Sequence, residues 1–170
     1  EKTDTLNYQE KPLEYDFIKP EFVSAAKVLE TYTSYTETIK EKVPEFLDAV
    51  NERFKNTPFR VSYRVQNEMI LYIASLIRQS EDPSNIDIDS IISEASLSIL
   101  MEKILPRVEG DDKLLGESLE NLKSYILSSH SEVNQGDESS KTDSFLGITL
   151  AKLEEMQERL KSTYFTSFFS

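Results

Sequence analysis

Residues 89 to 105 read DSIISEASLSILMEKIL, and wound as a helix they carry apolar side chains on most sides. Ile91, Ile92, Ala95, Leu97, Ile99, Leu100, Met101 and Ile104 leave little of that surface polar. A helix without a broad polar face has to be enclosed by other elements. Asp89 or Ser90 is the expected cap at its start, and Pro106 is expected to end it at Leu105, because proline disfavours helical geometry in the residue before it. The rest of the chain therefore has to supply the walls around this segment.

The other segments have the period that walls require. Phe22, Ala25, Ala26, Leu29, Tyr32 and Ile39 recur at helical spacing from Pro20 onward. Pro44 suits the first turn of a new helix, where its missing amide hydrogen costs nothing. Phe46, Leu47, Val50 and Phe54 form one apolar face, closed by Asn56, Thr57 and Pro58. Ser62 is a fair cap for a third helix that carries Val65, Met69, Tyr72, Ile73 and Leu76 and ends near Gln79. Residues 112 to 127 place Leu115, Leu119, Leu122 and Ile126 on one side. The last helix, roughly 144 to 162, shows Leu146, Leu150, Leu153, Met156 or Gln157, and Leu160. No alternating run is long enough to demand a sheet. The expected class is all-α, a bundle of about six helices.

The organisation follows from these segments. Residues 1–18 read as an irregular leader and 19–127 as a helical domain. Residues 128–143, SSHSEVNQGDESSKTD, hold Val133 as their only aliphatic residue and read as a flexible polar loop. Residues 144–170 read as a C-terminal helix and an aromatic tail, TYFTSFFS, that packs on the same domain. Within that tail Tyr164, Phe165, Phe168 and Phe169 would form a sizeable apolar patch if left uncovered. We read them as packing on the chain's own helices, with docking on another subunit as the alternative.

Composition excludes several activities. The chain has 170 residues, and its 19 Lys and Arg stand against 31 Asp and Glu, a formal charge of −12. Sequence-independent nucleic-acid binding needs a concentrated basic surface, so direct nucleic-acid binding is not expected here. The densest basic spot gathers Arg53, Lys55, Arg60 and Arg64. Cysteine is absent, which excludes disulfides and thiolate chemistry and fits a reducing cytoplasmic location. No apolar run approaches the length needed to span a membrane. The first residue is Glu1 rather than Met, and we expect a piece of a longer protein.

Catalytic and metal-binding patterns are also missing. His130 is the single histidine, which excludes histidine triads and multi-histidine metal sites. Its position in the polar stretch reads as a solvated loop side chain. The aspartates at 82, 87, 89, 111 and 112 lack calcium-loop spacing and read as caps and loop charges. No GxxxxGK[ST] phosphate loop occurs. On these grounds the chain is not expected to be an enzyme by itself.

Three phrases stand out from this background: SYRVQNEMILYI at 62 to 73, DIDSIISEASLSILMEKILPRVEGDDKLL at 87 to 115, and KLEEMQERLKSTYFTSFF at 152 to 169. In this order they resemble the C-terminal helical part of AAA+ NTPases of the McrB type, the motor subunits of modification-dependent restriction systems. The resemblance covers about residues 45 to 126 and 150 to 169 and is weak before residue 45. It implies an AAA+ lid-like bundle that senses nucleotide phosphates and couples NTP hydrolysis to subunit motion in a DNA restriction and anti-phage defence machine. It also implies ATP or GTP with Mg in the complete protein, though none in this chain alone. Its implied partners are an upstream AAA+ core, neighbouring subunits of a ring, and a McrC-like nuclease.

The same resemblance bears on the cations that open the third helix. A helix dipole disfavours cations at its N-terminus, but a phosphate gathered there would reverse the preference. Arg64 in SYRV matches the sensor 2 arginine that such lids point at nucleotide phosphates; Arg60 is the second candidate, and Tyr63 is placed to pack beside base or ribose. The alternative has Arg60 and Arg64 pairing only with Glu68 or other acids. Lys103 and Arg107 in EKILPRVEG read first as part of a helix-ending turn, where cations satisfy free carbonyls, and second as inter-subunit contacts. A different overall reading also stays open: an all-α interaction module, such as an adaptor, immunity protein or regulatory subunit, whose acidic surface meets a basic partner.

Overall fold

The structure is a computed structural model and describes residues 24–80, 82, 85–130 and 141–169. Six α-helices lie among them: α1 (Ala25–Thr31), α2 (Thr36–Arg53), α3 (Tyr63–Gln79), α4 (Ile88–Ile99), α5 (Asp112–His130) and α6 (Lys141–Thr163). The all-α bundle is as expected, with one small addition. Two short strands, β1 (Glu109–Asp111) and β2 (Phe165–Ser167), pair antiparallel with Gly110 opposite Thr166. The leader at 1–18 and the helical start at Pro20 and Phe22 fall outside the described residues.

The segment 88–105 is the centre of the bundle. Helix α4 packs against α2, α3 and α6, and Ala95, Leu97 and Leu100 are fully buried. Asp87, not Asp89 or Ser90, caps it: its Oδ1 accepts from the amides of Asp89 at 3.1 Å and Ser90 at 3.3 Å. Helical winding also runs past the expected stop. A π-helical turn (Leu100–Ile104) and a 3₁₀ turn (Leu105–Arg107) follow α4 without a break. Ile104, at φ −99° and ψ −63°, absorbs the distortion, so Pro106 falls in the opening of a new turn where it lacks no needed hydrogen. Burial of Ile104 and Leu105 holds this shape against the proline's preference.

Pro44 gives the same lesson. It sits inside α2 rather than at the start of a helix. An interior proline costs about 3 kcal/mol. Ile39, Val43, Phe46, Leu47 and Val50 lie on both sides of it and are buried, each contributing about 1.5–3 kcal/mol. Their sum outweighs the local penalty and keeps one continuous face. The break falls earlier, at Tyr32–Tyr35, where the Thr36 hydroxyl donates to the carbonyls of Leu29 at 2.5 Å and Tyr32 at 3.1 Å.

Helices α5 and α6 pack on each other and both extend into the stretch expected to be a loop: α5 takes in 128–130 and α6 begins at Lys141. His130 is accordingly not a solvated loop residue. It is only 5% exposed, and its Nδ1 lies 3.1 Å from the Ile126 carbonyl. Burial pushes its pKa below the ordinary histidine value, against the opposite pull of the Ile126 and Ser93 carbonyls. The unfolded chain therefore binds this proton more readily than the fold does. Stability should fall as pH drops through the unfolded value of about 6.5 and stop falling below the depressed folded value. Urea unfolding at pH 7.5 and pH 5.5 checks this: wild type should lose more stability than His130→Gln, and equal losses would contradict it.

The aromatic tail departs from expectation. Tyr164, in the left-handed region at φ 59°, turns the chain out of α6 into β2. Only Phe168 packs against the core, with the Lys152 ammonium 4.7 Å from its ring centre. Tyr164, Phe165 and Phe169 are exposed. In β2 the exposed Phe165 alternates with Thr166, the side chain that the strand buries, while Tyr164 and Phe169 flank the strand.

Candidate functional site: a cation cluster at the start of α3

Helix α3 begins and ends as its apolar spacing predicts, with Ser62 at the cap position and Gln79 as its last residue. Ser62 has cap-like backbone angles, but its side chain accepts no hydrogen bond from the helix. The first turn also contains no acidic residue. The helix therefore opens with free amides and two cations nearby, the reverse of the usual charge preference.

The residues before α3 are held by side-chain bonds from α2. The Val61 amide donates to Asn51 Oδ1 at 2.7 Å, and Asn51 Nδ2 donates to the Val61 carbonyl at 3.3 Å. This reciprocal pair fixes the backbone beside Arg60. The Phe59 ring meets Phe54 edge-on at 6.5 Å and anchors the other flank. Arg60 thus projects from a constrained segment.

Residues from two distant stretches of sequence meet here. Arg60 shares a small cleft with Lys103 and Arg107, floored by Phe59, Val61, Val65 and Ile104. Lys103 comes from the π-helical turn and Arg107 from the 3₁₀ turn. One helical turn away, Arg64 Nε donates to Glu68 Oε1 at 3.0 Å, while Lys103 Nζ lies 3.5 Å from Glu68 Oε2. All four sequence-selected cations therefore belong to one surface region. Arg64, with its side chain 86% exposed, closes off no interior space.

Glu68 is the carboxylate that this region pairs. Its hydrogen bond from Arg64, with help from Lys103, holds it below the usual carboxylate range despite some desolvation. The pairing of Arg64 with Glu68 is thus present, whereas the side chains of Arg60 and Arg107 have no hydrogen-bond or ion-pair partner among the described residues. The expected turn at Lys103 and Arg107 is present too, but these side chains face the α3 cations as well.

Beside the cations lies an open groove of about 610 Å³ between α2 and the start of α3. Pro44 and Leu47 give it apolar wall, Asp48 and Gln66 polar wall, and Arg60 and Tyr63 stand at its margin. Tyr63 is 85% exposed, with no ring contact among the described residues. A second polar groove of about 550 Å³ separates the end of α2 from α5, where the Arg53 guanidinium lies 4.1 Å from the Tyr125 ring centre. Sequence reasoning missed that stack, since Arg53 and Tyr125 meet only in three dimensions. It also undervalued Glu68, although the Asn67-Glu68 pair sits in the phrase that drew attention to Arg64.

Among the described residues, no cluster of three or more His, Cys, Asp or Glu is placed to hold a metal ion. No described helix is long and apolar enough to cross a membrane. No curated protein and no solved structure gives a significant match to the chain. A family model does match, over residues 13–165, which is most of the chain. The chain belongs to the family described as a domain of unknown function, DUF8727.

Proposed function

We propose that this chain is the helical lid of a McrB-like AAA+ NTPase. In this reading it covers a nucleotide held elsewhere, meets its phosphates through Arg64 and Arg60, and passes the change to a neighbouring subunit as a rigid-body motion. The observation that carries the proposal is the convergence of Arg60, Arg64, Lys103 and Arg107 on one exposed region of an acidic chain. Guanidinium forks and free helix-terminal amides suit a polyphosphate. Tyr63, at the groove margin, has the exposure a base- or ribose-packing ring needs.

The phosphate loop, the acids that position Mg, and a McrC-like nuclease partner are supplied from outside these residues. Either ATP or GTP fits, because the cations address phosphate and not base. DNA restriction is the task of the assembled ring in this reading, with the nucleic-acid reader elsewhere.

The exposed Tyr164, Phe165 and Phe169 favour a second reading, an all-α interaction module with no nucleotide role. Hydrogen exchange on the full-length protein separates the two. Adding a non-hydrolysable nucleoside triphosphate with Mg should slow exchange at residues 62–66 and 103–108. Unchanged exchange in both segments removes the lid reading, and partner-induced protection confined to 164–169 favours the second.

A further inference from the structure

Glu68 is the one carboxylate within ion-pair distance of the four cations among the described residues. Asp48 lines the groove with Arg60 but makes no ion pair with it, and Glu102 lines the neighbouring groove with Lys103, also without pairing. Glu68 reaches Arg64 and Lys103 with its two oxygens, one cation to each. Among the described residues it leaves the side chains of Arg60 and Arg107 without an anion. The internal carboxylate thus pairs with two of the four cations, offsets one of their four charges, and holds two of the side chains on the protein.

We infer that Glu68 is an internal competitor for a polyphosphate site formed jointly by Arg60, Arg64, Lys103 and Arg107. An incoming phosphate chain takes Arg64 and Lys103 from Glu68 while engaging the two unpaired arginines. Several anionic groups on one ligand are required, because the cations come from two separate elements and a single carboxylate spans only two of them. Arginine forks donate to phosphate oxygens in pairs, which favours phosphate over a scattered set of peptide carboxylates. The Glu68 carboxyl stays ionised at neutral pH, so the competition persists under those conditions and lowers the apparent affinity for the ligand. This assignment deepens the lid reading and rests on it for the natural source of the phosphate chain.

The test titrates inorganic tripolyphosphate into the full chain at low salt, with calorimetry for affinity and circular dichroism for fold. Glu68→Gln keeps the shape and removes the charge, and should bind about five- to tenfold more tightly than wild type. Arg60→Ala and Arg107→Ala should each bind about five- to tenfold more weakly. Arg78→Ala, at the other end of α3, should bind like wild type. Equal affinity of wild type and Glu68→Gln overturns the competitor role. Absence of binding to folded Glu68→Gln, or indifference to both arginine replacements, overturns the site. If tripolyphosphate binds as expected while the triphosphate leaves hydrogen exchange unaltered, the site stands and the lid reading fails instead.

Discussion

Leu97→Ala should lower the unfolding free energy by about 2–5 kcal/mol, the range for emptying a buried leucine position. Leu97 is fully buried on α4, and α2, α3 and α6 enclose that helix. Loss of its side chain removes transfer energy and leaves a void that walls on several sides cannot easily close. A typical domain has only about 5–15 kcal/mol in all, so the variant should sit near the edge of folding. Leu127→Ala, at a position 41% exposed on α5, is the comparison. Its change should stay within about 0.5 kcal/mol. Urea unfolding of the two variants checks the claim that α4 is the centre of the bundle; similar small losses would contradict it.

Fold legibility divides along physical lines. The apolar spacing of α3, from Val65 to Leu76, set its limits well, because one buried face dictates one helix. The enclosure of α4 followed from its lack of a polar face. Pro44 and Pro106 depart from the local rule for proline, because burial of the residues around them overrides it. His130 was misplaced for the opposite reason. Its neighbours from 128 to 136 are polar apart from Val133 and Gly136, and only contacts with Ile126 and Ser93 show that it turns inward. The β1–β2 ribbon was invisible because three-residue strands leave no alternation to detect.

The candidate site was legible as a set of residue types but not as a place. Arg60 and Arg64 were singled out from one phrase, Lys103 and Arg107 from another, and nothing local says that the two phrases meet. Their meeting depends on how α3 packs against α4, and on the π-helical and 3₁₀ turns that extend α4 to Arg107. Asn51, which fixes the backbone at Val61, lies in α2 and had no motif to announce it. Tertiary packing created the cluster, and spacing alone could not.

Arg64 carries the functional claim. In the structure one of its nitrogens pairs with Glu68, and most of the side chain is exposed. The bundle therefore does not depend on it, and Arg64→Ala should fold as wild type does. Closed over a phosphate in a water-poor site, the same guanidinium would gain strength that it lacks in solvent. Loss of one such charge-stabilising donor costs about 10²–10³ in kcat. Arg64→Lys should recover only part of this, since an ammonium has no planar fork to meet two phosphate oxygens.

Nucleoside triphosphate turnover by the full-length protein, wild type against Arg64→Ala at saturating substrate, is the most direct measurement. A fall of about 10²-fold or more in a normally folded variant is the predicted result. Turnover within about twofold of wild type would contradict the account, since no transition-state contact of the expected size could then be lost.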